Sequence, residues 1–230
     1  MNESLVEEIR TALFQAHDEK YRAFNLSLLP TIAPERLIGV RMPVQRNIAK
    51  RYKDDARVEV YLTITSHDYL EEINIHGFFI DRLNDFDACI AAMQIFLPQL
   101  DNWATCDTFS PKIFKKYPAK VEKMACNWMK DTTHPFTVRF GINTLMRHYL
   151  TEQFKPVHLE AVAACCSDEY YVNMAVAWYF SMALAKQYEE TLPWITEKRL
   201  PEWVHRKSIQ KAIESRQVPV AHKALLKMYR

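Results

Sequence analysis

Tyr170-Tyr171-Val172-Asn173-Met174-Ala175-Val176-Ala177-Trp178-Tyr179-Phe180-Ser181-Met182-Ala183-Leu184-Ala185-Lys186 is the stretch that decides the fold. It holds no glycine, no proline and no charge before Lys186, so nothing in it stops a helix before the segment runs out at Tyr188. Tyr171, Met174, Ala175, Trp178 and Met182 fall on one helical face, and the remaining faces are nearly as apolar. A helix apolar on most sides predicts a central element covered by neighbours. Trp178 then reads either as a member of that core stripe or as an aromatic face offered to a ligand.

The chain on both sides continues the helical pattern. Glu7 to Phe24 carries Ile9, Leu13, Ala16 and Tyr21 near helical spacing, and Asp68 to Leu83 opens on a good cap residue. Ser110-Pro111 predicts an N-cap followed by proline at the first helical position. His134-Pro135, Lys155-Pro156 and Leu200-Pro201 open further helices. No alternating strand pair and no Asn-Gly or Asp-Gly hairpin occurs. The only glycines are Gly39, Gly77 and Gly141, so neither a dinucleotide-binding nor a phosphate-loop fingerprint can be written. Pro111, Pro156 and Pro201 stand 45 residues apart, within the ~40–47-residue period of HEAT-type helix pairs. The expected architecture is all-α: a curved α-solenoid of stacked antiparallel helix pairs, with residues 1–230 as one domain. A generic helical bundle is the alternative. A solenoid matters because its concave surface suits an extended partner, peptide or nucleic acid.

Composition narrows the class. With 230 residues, 49% hydrophobic and 25% charged, the chain can bury a full core without staples. No apolar run approaches the ~20 residues that cross a bilayer. Met1-Asn2-Glu3-Ser4-Leu5-Val6-Glu7-Glu8 is polar and acidic, unlike a signal or transit peptide. Five cysteines, an odd number without C-x-x-C, predict free thiols in a reducing cytoplasm. No cysteine has histidine at metal-finger spacing and H-E-x-x-H is absent, so neither metal nor cofactor is expected. Formal net charge is +2, unevenly spread: residues 196–230 hold nine basic and three acidic side chains, +6, which leaves −4 for residues 1–195. The basic end reads as a phosphate contact or as solvated helix faces.

Few residues carry chemistry. On a helix Trp103 and Asp107 lie one turn apart, and an aromatic face beside a carboxylate attracts a cation. The other reading packs Trp103 into a helix junction and makes Asp107 the cap of the segment at Pro111. Arg139 lies inside the apolar run Phe136–Ile142, where a buried guanidinium needs a carboxylate or a phosphate. Arg147 follows two turns later on roughly the same side. Trp203-Val204-His205-Arg206-Lys207 is a phosphate-contacting helix start or a solvated surface. Ser66-His67-Asp68 is contiguous, with no nucleophile elbow, and is no folded triad. Cys165-Cys166 point different ways on a helix.

With these residues the chain resembles the DNA alkylation repair family of HEAT-like-repeat DNA glycosylases (AlkD-like) over roughly residues 35–230. The resemblance runs in order. Ile38-Gly39-Val40-Arg41-Met42-Pro43-Val44-Gln45-Arg46 is similar to the family's early glycine, proline and arginine segment. Asn102-Trp103-Ala104-Thr105-Cys106-Asp107 is similar to its tryptophan and aspartate four apart. Val138-Arg139-Phe140-Gly141-Ile142 is similar to its arginine-led apolar helix. Tyr171 to Trp178 matches its late tryptophan helix, and His205-Arg206-Lys207-Ser208-Ile209-Gln210-Lys211 its basic C-terminal helix. The resemblance implies duplex DNA with alkylated bases held in the concave face. It implies hydrolytic removal of N3- and N7-alkylated purines without extrusion of the base, unlike the usual flipping strategy. It assigns catalysis to Asp107, Trp103 and Trp178 and DNA binding to Arg139 and Arg147; the basic helix adds Arg206, Lys207 and Lys211. A cytoplasmic monomer acting without metal in base excision repair is the corresponding expectation.

The chain departs from the family pattern at two places. Ala104 stands where an acidic residue usually follows the first tryptophan. Tyr179-Phe180-Ser181-Met182 stands where basic residues usually follow the second, which puts two bulky aromatics where a groove needs room. A non-catalytic scaffold of the same family, binding DNA or protein, is therefore the alternative function.

Overall fold

The computed structural model describes residues 4–230; Met1, Asn2 and Glu3 of the acidic opening stretch lie outside the described residues. Among the described residues the regular structure is entirely helical, as the apolar periodicity predicts. The backbone divides into two compact units, Met1–Tyr117 and Pro118–Arg230.

The first unit holds α1 (Leu5–Gln15), α2 (Glu19–Leu28), α3 (Met42–Arg51), α4 (Arg57–Tyr61), α5 (Leu70–Ile80), α6 (Phe86–Phe96) and α7 (Trp103–Thr108). Short 3-10 turns lie at Pro34–Arg36, Leu97–Gln99 and Lys112–Lys116. The helix read over Glu7 to Phe24 is in fact two, because the Asp18 side chain accepts from Tyr21 N–H and starts α2 afresh. The segment read from Asp68 begins later, at Leu70. Asp68 does not cap it but pairs with Arg10, while Glu72, one turn in, accepts from the N–H groups of Asp68 and Tyr69. Pro111 likewise opens a 3-10 turn and not an α-helix; the next α-helix waits until Pro118.

All of α5 is buried, and it packs against α1, α3, α6 and α7. Two of its buried residues are carboxylates, and each is fully occupied. Glu71 accepts from Ile38 N–H at 3.1 Å, Gly39 N–H at 2.7 Å and Val40 N–H at 3.1 Å, which folds the 38–40 loop onto the helix. Glu72 pairs with Arg10 Nε at 2.7 Å, tying α1 to α5. Buried carboxylates survive only with such partners. The loop geometry also requires glycine: Gly39 has φ +95°, and a Cβ there would lie 2.5 Å from Arg22 Cβ. At Gly77 a Cβ would meet the Phe109 ring at 2.4 Å, so glycine lets that aromatic approach α5 closely.

The second unit holds α8 (Pro118–Trp128), α9 (Pro135–His148), α10 (Val157–Ala163), α11 (Tyr170–Lys186), α12 (Tyr188–Thr196), α13 (Glu202–Glu214) and α14 (Val220–Lys227). α11 packs between α9 and α13, with α10 and α12 also against it, and α8 covers α9. α9, α11 and α13 form a row, each reached through a shorter connecting helix, which is the stacked-pair arrangement expected of a solenoid-like fold. They start at residues 135, 170 and 202, intervals of 35 and 32. The 45-residue proline spacing is therefore not the repeat: Pro156 precedes the first helix of a pair, Pro201 the second, and Pro111 a 3-10 turn.

α11 is central, as its composition predicts, but of the face read from the sequence only Ala175 is fully buried. Val172, Val176, Tyr179, Phe180, Ala183 and Leu184 form the buried side, while Tyr171, Met174, Trp178 and Met182 run as a half-buried seam. Apolarity alone does not rank the faces of a helix that is apolar all round; packing neighbours do.

Gly39→Ala should lower unfolding free energy by about 2 kcal/mol or more, since the strained φ and the clash with Arg22 add. Urea titration should show an earlier midpoint with an unchanged slope. A second expectation concerns pH. His67 and His76 touch through Nε2 and Nδ1 at 3.0 Å, enclosed by Tyr61 and Phe96. Burial, with the positive Arg10 second, lowers His67 to about 4; burial, with His67 second, lowers His76 to about 3. Below pH 6.5 the unfolded chain takes up protons that the folded pair refuses until about pH 4. Stability should therefore fall as pH drops through that window, and His67→Phe with His76→Phe together should flatten the slope of melting temperature against pH.

Candidate functional site

Trp103 and Asp107 both lie on α7, a six-residue helix whose N-cap Asn102 accepts from Thr105 N–H at 2.8 Å. The cap fixes the helix, and the i, i+4 spacing puts the two side chains one turn apart on one face, both partly exposed. Trp103 is also a packing residue. Its indole N–H donates to Leu28 carbonyl oxygen at 3.1 Å, and its ring lies on the buried cluster of Leu29, Ile32, Leu37 and Leu70, with Ala104 beside it. Ala104 thus fills an apolar contact at the position where the sequence lacks an acid. Trp103 is thus anchored at its indole N–H and against the apolar cluster, and it stays partly exposed.

Trp178 occupies the middle of the half-buried seam on α11, between Met174 and Met182. No side chain or carbonyl among the described residues accepts from its indole N–H. It is not the core residue that the apolar stripe suggested; it presents part of its ring to solvent. Tyr179 and Phe180, the next two residues, are both fully buried. The expectation that they obstruct a groove fails, because the helix turns them into the core of the unit.

Arg139 is 4% exposed, and its Nη1 donates to the Tyr171 carbonyl at 2.9 Å. That bond joins α9 to the first turn of α11, so a carbonyl supplies part of what a carboxylate or phosphate was expected to supply. Arg147 lies in the last turn of α9, half-buried, where a cation also complements the helix dipole.

On α13, Arg206 is exposed, Lys207 and Lys211 are half-buried, and the exposed Trp203 lies one turn before Arg206 and Lys207. The sequence reading singled out this cluster but missed its neighbour Tyr170. Tyr170 meets Trp203 edge-on at 5.8 Å and Tyr171 at 5.1 Å, and Tyr171 in turn meets Phe136 at 5.3 Å. An aromatic row thus crosses the starting ends of α9, α11 and α13. The paired Tyr170-Tyr171 at the very start of the helix was the available signal, since adjacent residues on a helix point about 100° apart and the first turn is the least covered.

The remaining nucleophile candidates are quiet. Burial pushes Cys165 up to about 12 and Cys166 up to about 11, so both stay thiols at neutral pH. His67 is engaged with His76 and not with a serine. No group of three metal-ligating side chains comes together among the described residues, and no described helix is long and apolar enough to cross a membrane.

The two tryptophans should respond differently to the same substitution. Trp103→Phe keeps the ring but loses the bond to Leu28, and should cost about 1 kcal/mol of stability. Trp178→Phe should cost clearly less; chemical denaturation of the two variants beside wild type measures the difference.

No curated protein matches the chain. A family model described as DNA alkylation repair enzyme matches residues 9–212, which span α1 to α13 and include Trp103, Asp107, Arg139, Trp178 and the basic residues of α13. The chain therefore belongs to the DNA alkylation repair enzyme family.

Proposed function

We propose that this DNA repair protein is a monofunctional alkylpurine DNA glycosylase, hydrolysing the N-glycosidic bond of N3- and N7-alkylated purines in duplex DNA without extruding the base. The observation that carries the reading is the placement of Trp103 and Asp107 one turn apart on a capped helix, partly exposed, in a member of this family.

The chemistry suits these groups. An alkylated purine is cationic and leaves with the electron pair of the C1′–N bond, becoming neutral as positive charge moves to the sugar. The Asp107 carboxylate stabilises that charge and orients water, whose oxygen bonds to C1′ and whose proton is released. The anchored Trp103 ring offers its negative face to the same charge. Groups already in place when charge develops lose nothing to reorganisation. Trp178, partly exposed on α11, is the other aromatic side chain counted as catalytic in this reading. Arg147, Arg206, Lys207 and Lys211 carry the phosphate contacts, and Arg139 acts through α11, which it pins, instead of reaching the backbone of the DNA itself. Hydrolysis of this kind consumes only water and calls for no redox cofactor. The product, an abasic site, makes the protein the opening step of base excision repair.

A second reading, a DNA-binding scaffold without excision, draws on one observation: Ala104 packs into an apolar cluster and offers no second carboxylate. Release of 7-methylguanine and 3-methyladenine from methylated duplex DNA separates the two. The wild type should release both, and Asp107→Asn should slow release by about 100-fold or more while leaving duplex affinity nearly unchanged. Equal loss of binding and release would make Asp107 structural. No release by folded wild type would establish the scaffold reading.

A further inference from the structure

Three cations, the Glu202 carboxylate and an exposed indole surround a cleft whose Arg206 and Lys207 are also among the proposed phosphate contacts. The cleft, of about 470 Å³, lies on the second unit and is lined by Glu202, Trp203, Arg206, Lys207, Gln210 and Arg230. Trp203, Arg206, Lys207 and Gln210 are spaced to share one side of α13, turned away from the buried Val204, Ser208 and Ala212. Trp203 is 42% exposed and Tyr170, which braces it edge-on, 56%. Two large aromatics in contact at the surface, rimmed by cations, are not the scattered single exposures that any soluble protein shows.

The platform is held before any ligand arrives. The aromatic row from Phe136 through Tyr171 and Tyr170 supports Trp203 from the core outward. Lys207 Nζ lies 5.8 Å above the indole and donates to Gln210 Oε1 at 3.0 Å, while Gln210 Nε2 donates to Glu214 at 2.9 Å. Arg206 makes only a long 4.0 Å approach to Glu202 and keeps most of its guanidinium in solvent.

An aromatic plane beside an oriented amide and several cations matches a flat heterocycle attached to a phosphate. A free phosphate gives the indole no role, and an acidic peptide needs no ring face. Within a paired duplex every base face is covered by its neighbours, so only an unpaired nucleotide offers one. We infer that this cleft binds a single unpaired nucleotide of DNA, with its base against Trp203 and its phosphate on Arg206, Lys207 and Arg230. The inference rests on DNA as the partner in the proposed function, and it is independent of excision.

The test uses the full chain and lesion-free DNA in three forms: a fully paired duplex, the same duplex with a one-nucleotide bulge, and that bulge with its base removed. All three are titrated at one fixed salt concentration. Wild type should bind the bulge about 10-fold more tightly than the abasic bulge, the range of one base stacked on an aromatic side chain. Trp203→Ala should abolish that difference and leave the paired duplex unaffected, and Trp203→Phe should retain most of it. Arg206→Ala should weaken all three DNAs and reduce the salt dependence. Equal affinity of wild type for the two bulges overturns the inference, as does a preference that persists in Trp203→Ala. Binding to none of the three overturns it together with the DNA-binding half of the proposed function. Methylated-base release without a bulge preference overturns this inference alone.

Discussion

The second unit depends on keeping one long, nearly uncharged helix out of water. α11 has no side-chain cap at its start and no polar stripe to offer solvent, so its stability comes from burial. Val176, Phe180 and Leu184 each contribute roughly 1.5–3 kcal/mol when fully covered. The neighbours that cover them are α9, α10, α12 and α13, and the polar ties lie at the two ends of the helix. Arg139 grips the Tyr171 carbonyl at one end, and Gln187 Nε2 donates to the Leu150 carbonyl at 3.1 Å at the other. With both ends fixed, the rotation of the helix is fixed too. That rotation sends Tyr179 and Phe180 inward and leaves Trp178 and Met174 on the seam.

The first unit solves a related problem with charge. Its central helix α5 is buried along its whole length yet contains Glu71 and Glu72. Burying two adjacent carboxylates is tolerable because they face different partners, the loop N–H groups of residues 38–40 and the Arg10 guanidinium. Glu71 thereby orders the loop that leads into α3, and Glu72 brings α1 onto α5. The same unit holds α7 through a second polar contact, from the Trp103 indole to Leu28, so the helix that carries Asp107 is short but well anchored.

Much of the candidate chemistry was readable in one dimension because it depends on helical spacing. The pairing of Trp103 with Asp107 needs only i, i+4 and a cap, and Asn102 supplies the cap in the adjacent position. The basic character of α13 is likewise a matter of composition. Tyr170 escaped notice because its importance comes from Trp203, which is 33 residues away in sequence and 5.8 Å away in space. Arg139 was recognised as a buried cation in need of a partner, and one of its partners is a backbone carbonyl, which no sequence pattern marks.

The sequence by itself determined the all-helical class, the centrality of the Tyr170–Lys186 helix and the family, since these follow from periodicity, the scarcity of glycine and the order of matching segments. Tertiary structure alone decided which sides of that helix meet water, where helices break and what the true interval between stacked helices is. Each of those is set by contacts between residues distant in the chain. The prolines show the difference: their even spacing is a property of the sequence, but the row of α9, α11 and α13 is fixed by side chains packing across helices, and it follows a shorter interval.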